Sequence, residues 1–216
     1  MTLAGKHVLV TAGPTHEPID PVRMIANRSS GRQGFAIAAA AAEAGARVTL
    51  IAGPVALETP SNVNRIDVET AEQMAQAVFA ALPADAAVLV AAVADWRVEA
   101  SSTKLKKSNG PPLLDFVPTR DILAELGSSS QRPRLLVGFA AETDDVVQHA
   151  IAKRQIKNAD WIVANDVSGD VMGGQHNRVH LITGDDVEDW PEALKDEVAR
   201  HLVKRIDEML GCAAND

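Results

Sequence analysis

The residues of this chain that are best suited to chemistry lie between Gly13 and Gly34. The segment sits between a strand-like run and an alanine-rich helical run, where a dinucleotide-binding protein carries its tight glycine turn. It supplies carboxylates, guanidiniums, an amide and hydroxyls, from Glu17, Asp20, Arg23, Asn27, Arg28, Ser29, Ser30 and Arg32. Basic groups and free amides at a helix start favour anions. We therefore expect a phosphorylated ligand on which the site acts, rather than a cofactor that it only holds.

Simpler roles exist for the polar residues of this segment. Serine is a common helix N-cap, so Ser29 or Ser30 could do no more than start the helix. Asparagine is common in turns, and on residue type alone Asn27 is more often a turn residue than a functional one. Residue type by itself therefore leaves both alternatives open.

Two further candidates follow the fourth predicted strand. Asp95 would stand at the carboxyl end of that strand, where it could bind a ribose hydroxyl or a metal ion, or else form a turn or an ion pair with Arg97. Lys104, Lys106 and Lys107 lie in a loop-like stretch, Ala100–Pro112, within a flap of about residues 98–112. These lysines could neutralise a triphosphate as the flap closes, although such clusters are more often solvated.

The last candidates follow the fifth predicted strand. Phe139 could pack on a nucleotide base or belong to the core. Lys153 and Lys157 are four residues apart on a predicted helix and therefore share a face. Lys157 falls in the last helical turn, where a cation also relieves the helix dipole. His176 and His180 lack the neighbours of a zinc site, and Cys212 is predicted to be an incidental thiol.

Composition limits the class of protein. The chain has 216 residues, 46% hydrophobic and 23% charged, with a net charge of −8. The acidic balance argues against a nucleic-acid or membrane partner, and 3% aromatic residues offer few stacking platforms. A single cysteine fits a reducing compartment. No signal-peptide or membrane-spanning run is visible, so we expect a cytoplasmic protein.

Strand-like and helix-like segments alternate along the chain, which predicts a Rossmann-like α/β fold with a mostly parallel sheet flanked by helices. The predicted strands are His7–Thr11, Arg47–Ile51, Arg65–Val68, Ala87–Ala91, Arg134–Phe139 and Trp161–Ala164. The predicted helices are Gln33–Ala44, Ala71–Leu82, Thr119–Leu126, Asp144–Lys157 and Pro191–Met209. Thr70 is the expected N-cap of the second helix.

The C-terminal part changes character. Arg178–Thr183 alternates apolar and polar residues, Gly184–Asp186 resembles a turn, and Val187–Trp190 could pair back. We therefore expect an antiparallel hairpin at one edge of the sheet. Gly169–Gln175 is a second glycine-rich loop, and residues 1–216 are expected to form one domain.

The chain resembles phosphopantothenoylcysteine synthetase, the phosphopantothenate–cysteine ligase domain of a bifunctional coenzyme A biosynthesis flavoprotein. The resemblance runs over about residues 5–210 and rests on five ordered motifs: GPTHEPIDPVRMIANRSSGRQGFAIA, AAVADWR, KLKK, GFAAET and AND. Many relatives read KNPD where this chain has Pro118–Asp121, and Arg32 stands where lysine is frequent.

The resemblance implies a CTP-dependent ligase. CTP would activate the carboxylate of 4′-phosphopantothenate as an acyl-cytidylate with release of pyrophosphate, and the amine of L-cysteine would then displace CMP. Magnesium is implied, bound through the nucleotide phosphates, while no flavin is expected in this chain. The resemblance also implies a homodimer. It further implies that the chain associates with, or is naturally fused to, a flavin-dependent phosphopantothenoylcysteine decarboxylase. The sequence fits both a natural single-domain protein and a domain excised from a longer chain.

The resemblance also implies roles for particular residues. Asn27 and Lys104 would be catalytic, Asn27 at the acyl group and Lys104 at the triphosphate. The phosphopantothenate side would comprise Gly13, Arg23, Asn27 and Ser29, with Arg23 and Ser29 at the phosphate. The nucleotide side would comprise Leu89, Val90, Ala91, Asp95, Lys104, Arg120, Asp121, Ile122, Leu123, Phe139, Lys153 and Lys157.

Two other functions fit the same fold. A nicotinamide-dependent oxidoreductase would need a compact glycine turn and an acid after the second strand, and Ile51–Pro54 supply no acid. A nucleotide-sensing module would bind CTP without releasing pyrophosphate. Both fit the motifs less well than the ligase.

Overall fold

The computed structural model describes residues 3–166, 174–184 and 186–211. The strands are β1 (His7–Ala12), β2 (His16–Pro18), β3 (Met24–Ala26), β4 (Arg47–Ala52), β5 (Val63–Asp67), β6 (Ala86–Leu89), β7 (Trp96–Arg97), β8 (Val117–Pro118), β9 (Leu135–Glu142), β10 (Trp161–Asp166), β11 (His176–Thr183) and β12 (Asp186–Leu194). The helices are α1 (Arg32–Glu43), α2 (Ala71–Ala80), α3 (Ile122–Ser128), α4 (Val146–Ile156) and α5 (Lys195–Gly211), and a short 3₁₀ turn spans Lys107–Asn109.

The main sheet has the strand order β12-β11-β10-β9-β6-β1-β4-β5. The six strands from β10 to β5 are parallel, whereas β11 and β12 add an antiparallel hairpin at one edge. The chain runs outward from β1 to β4 and β5, and then returns to the other side of β1 with β6. The strand order therefore reverses between β1 and β6, where doubly wound sheets bind their ligands.

The central strands are apolar because both of their faces are covered. In β1, Val8 and Val10 face one core cluster, and Leu9 faces the other. The first cluster is covered by α1 and α5, and the second by α2, α3 and α4. Strands buried on both sides lose the alternation of a half-exposed strand and become continuous apolar runs, as the sequence predicts here.

The predicted elements are confirmed, with shifts at their ends. Thr70 caps α2 as predicted and forms a capping box with Gln73. The last helix begins later than predicted, at Lys195, because Pro191–Leu194 continue β12, in which Ala193 and Leu194 pair with β11. Similarly, α3 begins at Ile122 rather than Thr119, because Asp121 is its N-cap.

Some features had no counterpart in the sequence predictions. Two short antiparallel pairs, β2–β3 and β7–β8, lie outside the main sheet. Most of Gly169–Gln175, and Cys212, fall outside the described residues. Within the part of the chain that the structure describes, no helix is both long enough and apolar enough to span a membrane.

Candidate functional site

A cavity of about 1130 Å³ opens at the carboxyl edge of the sheet. It reaches from the end of β1 past the ends of β6 and β9 to β10, through Thr11, Leu89, Phe139 and Asn165. It therefore lies at the reversal of strand order that the topology marks as a binding crevice. The loop after β1, the start of α1, the segment after β6 and the inner face of α4 complete its walls.

The long loop after β1 is an insertion into a tight glycine turn. Gly13 and Gly31 both have positive φ, of 80° and 73°. A Cβ placed on Gly31 would lie 3.5 Å from the Gly13 nitrogen, so the two glycines are adjacent in space. A Cβ on Gly34 would lie 2.5 Å from that of Ala12, so α1 packs closely on β1. The glycines of a dinucleotide turn are thus present, but residues 14–30 separate the first from the second.

Buried polar side chains anchor this insertion to the rest of the fold. Glu17 is 2% exposed, and its Oε1 accepts a hydrogen bond of 2.8 Å from the backbone nitrogen of Ala71, at the start of α2. Thr15 is fully buried, and its hydroxyl accepts a bond of 3.0 Å from the Ala94 nitrogen. Glu17 is among the side chains predicted to be reactive, whereas in the structure it holds the inserted loop in place.

A second anchor joins the insertion to the flap. Asp20 accepts hydrogen bonds from the side chain of Arg23 and, at 3.1 Å, from the backbone nitrogen of Leu105. The bond from Arg23 lowers the pKa of Asp20 well below its usual range, although burial opposes the shift. Arg23 also donates to the Leu105 carbonyl at 2.9 Å and does not line the cavity. Its guanidinium is therefore engaged in holding Leu105, next to Lys104.

Asn27 lines the cavity and is held there by the segment after β6. Its Nδ2 donates to the Val93 carbonyl at 2.9 Å, and the Ala92 carbonyl lies at 3.5 Å. Its side chain thus links the inserted loop to the strand end that precedes Asp95. Ser29 lines the same wall, where its hydroxyl accepts a bond of 3.3 Å from the Gly31 nitrogen. Neither serine caps α1, because Gly31 is the N-cap residue.

The residues predicted from the segment after β6 also meet at the cavity. Leu89, Val90, Ala91 and Asp95 all line it. The Asp95 carbonyl accepts a bond of 3.0 Å from the Thr119 nitrogen, which joins this segment to the approach to α3. The Asp95 carboxylate is exposed and, among the described residues, forms no ion pair with Arg97. The simple ion-pair alternative is therefore not observed.

Lys153 and Lys157 project from α4 into the cavity wall, as their spacing predicts. The Lys153 ammonium donates to the Phe139 carbonyl at 2.9 Å, and burial lowers the pKa of this lysine although Glu142 opposes the shift. Lys157 pairs with the carboxylate of Asp121. The pKa of Asp121 is lowered, because the bonds from Lys157 and from the Ala124 amide outweigh its burial.

Phe139 and the start of α3 contribute as well. Phe139 lines the cavity and also packs against the core. A contact with a nucleotide base and a place in the core are therefore compatible for this residue. Arg120, Ile122 and Leu123 also line the wall. The Arg120 guanidinium, however, is bound by Glu125 and Glu72, and these partners raise its pKa. Arg120 is therefore available to a ligand mainly through its backbone.

The flap lysines stand apart from the cavity. Lys104, Lys106 and Lys107 are exposed, and none of them lines the cavity in this structure. The structure thus brings together all the predicted site residues except Arg23 and Lys104. The predicted role of Lys104 requires that the flap move toward the cavity.

Some residues of the cavity were missed by sequence analysis. Gln33, Asn177 and Lys195 are buried and line it, as do Glu142 and His149 at its edge. Lys195 lies inside the predicted helix Pro191–Met209, and Asn177 lies just outside the predicted hairpin. No spacing signal marks these two residues, because they reach the cavity only through the pairing of β11 with β10 and β12. Among the described residues, no cluster of three His, Cys, Asp or Glu side chains could hold a metal ion.

The doubly wound strand order and the cavity at its reversal define a Rossmann-like α/β protein with a cleft suited to phosphorylated ligands. The model of the family described as DNA/pantothenate metabolism flavoprotein C-terminal domain matches residues 3–210, and the chain belongs to this family. The resemblance that the five motifs indicated is thereby confirmed.

The chain is similar to longer proteins and to one isolated domain. It is 44% identical over 210 residues to a protein of an unknown prokaryotic organism named cysteine/cysteine sulfinic acid decarboxylase, covering 94% of this chain and 58% of that protein. It is 46% identical to the coenzyme A biosynthesis bifunctional protein CoaBC of Haemophilus influenzae, covering 95% and 52%. A crystal structure of the C-terminal domain of a CoaBC protein has a TM-score of 0.83 at 40% identity, covering 97% and 98%. The chain thus spans roughly half the length of these curated relatives.

Proposed function

We propose that this chain catalyses the ligase reaction of coenzyme A biosynthesis that joins 4′-phosphopantothenate to L-cysteine at the expense of CTP. The observation that carries the proposal is that one cavity collects Asn27 from the loop after β1, Asp95 from the segment after β6, and the lysine pair of α4. A site that must bring two anionic substrates together needs such converging cations and amides. The name of the CoaBC relatives supports the pathway.

The reaction is written in two steps. A carboxylate oxygen of phosphopantothenate attacks the α-phosphorus of CTP, and the bond to the β-phosphate oxygen breaks, so that pyrophosphate leaves and an acyl-cytidylate forms. The amine of cysteine then attacks the acyl carbon, CMP leaves, and the amine proton is released. In the first step two anions must meet, so cationic groups stabilise the charge that gathers in the transition state.

The nucleotide is assigned to the side of the cavity formed by α4 and the start of α3. Lys153 and Lys157 would face its phosphates, and Phe139 its base. Asp95, in the segment after β6, would take a ribose hydroxyl. Mg²⁺ would be bound through the phosphates of the nucleotide.

The acyl half of the site is assigned to the inserted loop. Asn27 already donates to the Val93 carbonyl, so its amide is held beside the segment that carries Asp95. From there it would contact the activated acyl group at the boundary between the two substrates. Gly13 and Ser29 lie along the same wall and would contact phosphopantothenate.

The flap is assigned a closing movement. Asp20 and Arg23 hold Leu105, and Lys104 precedes this anchored residue directly. A rotation of the flap about this anchor would carry Lys104 toward the triphosphate. Arg23 would then act mainly as part of the anchor, unless it serves the phosphopantothenate phosphate of a second subunit in the implied homodimer.

The partner enzyme and the cellular location are likewise proposed from similarity to the CoaBC relatives. The CoaBC relatives are bifunctional proteins about twice the matched length, so this chain would work fused to, or associated with, a flavin-dependent decarboxylase. The flavin would belong to that partner. The cytoplasm is the expected location, since the reaction uses CTP and coenzyme A precursors.

The test is an assay of the purified chain with CTP, Mg²⁺, phosphopantothenate and cysteine. Pyrophosphate and CMP should appear in equal amounts, and phosphopantothenoylcysteine should be identified by mass. A panel of the four ribonucleoside triphosphates in the same assay determines whether CTP is preferred over ATP. If no pyrophosphate is released with any nucleotide, the proposed function is wrong.

A further inference from the structure

Lys195 is a buried cation on the wall of the cavity. It lies at the junction of β12 and α5, and the residue is 8% exposed. No carboxylate of the described residues pairs with its ammonium group. A buried charge without a partner is costly, so such groups are normally paired with an ion or bound to a ligand. The position of Lys195 on the cavity wall indicates that its partner enters from the cavity.

A second cation and a helix N-terminus lie at the same wall. Arg32, the first residue of α1, also lines the cavity, and its guanidinium forms no ion pair within the described residues. No side chain of the described residues caps α1, and the first turn of this helix contains no acidic residue. The first amides of a 12-residue helix therefore remain available to an anion.

A buried hydrogen-bond chain positions Lys195. Asn177 Nδ2 donates to Gln33 Oε1 at 3.3 Å, and Gln33 Nε2 donates to the Lys195 carbonyl at 3.0 Å. These bonds tie β11, α1 and the start of α5 together. Asn177 is 5% exposed and lines the cavity, and among the described residues its Oδ1 has no hydrogen-bond partner. The chain of bonds thus fixes the backbone of Lys195, from which its side chain reaches the cavity wall.

The electrostatics of this wall point to an anion. Burial lowers the pKa of Lys195, and the neighbouring charge of Arg32 lowers it further. Two like charges that share one cavity wall destabilise each other. A bound anion would neutralise both groups and accept hydrogen bonds from the amides of α1.

We propose that Lys195, together with Arg32 and the N-terminus of α1, forms a binding subsite for a phosphate group of a substrate. The inference rests on the proposed function only for the identity of that substrate. The phosphate belongs either to the nucleoside triphosphate or to the phosphate ester of the acid that is activated. In both cases Lys195 contacts the ligand directly.

The experiment measures binding by calorimetry to the full chain and its variants. The probes are inorganic pyrophosphate, CTP with Mg²⁺, and phosphopantothenate. Lys195→Met removes the charge and retains an unbranched side chain of similar length, and Arg32→Gln removes the exposed charge with little risk to folding. Lys204→Met is the matched control, because Lys204 is an exposed lysine of the same helix that is paired with Glu208 at 3.9 Å.

Each of the two subsite variants should bind at least one phosphate probe about tenfold more weakly, the effect expected of one lost charge-assisted contact. The control should bind as the wild type does. Weaker binding of CTP and pyrophosphate assigns the subsite to the nucleotide, and weaker binding of phosphopantothenate alone assigns it to the acid. Wild-type affinity of Arg32→Gln and folded Lys195→Met for all three probes overturns the proposal.

Failure of this inference is distinguishable from failure of the proposed function. If wild-type protein binds pyrophosphate in a way that depends on Lys195 but forms no product, the subsite stands and the ligase assignment falls. If product forms, and folded Lys195→Met binds every probe with wild-type affinity, the ligase assignment stands and the subsite proposal is wrong.

Discussion

Removal of Lys157 should expose the proposed nucleotide phosphates to an unpaired carboxylate. Lys157 pairs with Asp121, and the two side chains are 27% and 46% exposed. In Lys157→Met, the Asp121 carboxylate would remain at the cavity wall without its cation. We therefore expect weaker binding of CTP, and partial recovery in the double variant that also carries Asp121→Asn.

The size of the effect follows from Coulomb's law. Two unit charges about 6 Å apart interact by roughly 1.4–2.8 kcal/mol at an effective dielectric constant of about 20–40. Solvent screening at a half-exposed pair brings the expected loss to about 1–2 kcal/mol, or roughly a 5- to 30-fold increase in Kd. The double variant should regain at least half of this free energy, because the overall charge of the wall is restored.

The fold should tolerate these changes. Asp121 caps α3 through a 3.0 Å bond from the Ala124 nitrogen, and asparagine is an equally good N-cap residue. Asp121→Asn alone is therefore the matched control, and it should bind CTP more tightly than the wild type. The assay is calorimetric titration with CTP and Mg²⁺ at constant ionic strength, with thermal melting to confirm folding. If the double variant binds CTP no better than Lys157→Met, the electrostatic reasoning is wrong.

Three other predictions concern the flap, the inserted loop and the glycine turn. Lys104→Gln should slow pyrophosphate release, whereas Asn27→Asp should mainly impair the step with cysteine. Stopped-time assays that measure pyrophosphate and phosphopantothenoylcysteine separately test both predictions. A wild-type rate of pyrophosphate release in Lys104→Gln would show that this lysine is only a surface charge. The pKa of Asp20 is lowered on folding, so its contribution to stability is complete above pH 3.8 and is lost as the pH falls further. Between pH 6 and pH 2, the melting temperature of Asp20→Asn should therefore fall less than that of the wild type. An equal dependence of melting temperature on pH in both proteins would contradict the pKa shift. Gly34→Ala should cost about 1–3 kcal/mol in urea unfolding, because its Cβ would lie 2.5 Å from that of Ala12; an unchanged midpoint would show that α1 can move away.

Much of the fold was predictable because its elements are local patterns. The apolar run His7–Ala12 is buried along its whole length, and Thr70 with Gln73 marks the start of α2. The end of β12 was not predictable. Pro191–Leu194 were expected to be helical, but pairing with β11 makes them a strand. Cross-strand pairing within the hairpin outweighs the weak local preference, and single-sequence patterns do not reveal how far that pairing extends.

The candidate site likewise contains residues that local patterns predict and residues that only the folded chain brings to the cavity. The sequence by itself determined that Asp95 follows a strand end and that Lys153 and Lys157 share a helix face, because the rules that place them are local. Asn27 was indicated by the motifs of the resemblance, since its residue type alone favours a turn. Only the tertiary structure decided which polar residues are engaged and which are free. Asp20 holds the flap and Glu17 the start of α2, whereas Lys195 reaches the cavity without an ion-pair partner among the described residues. These outcomes depend on contacts between distant parts of the chain, whose partners and burial exist only after folding.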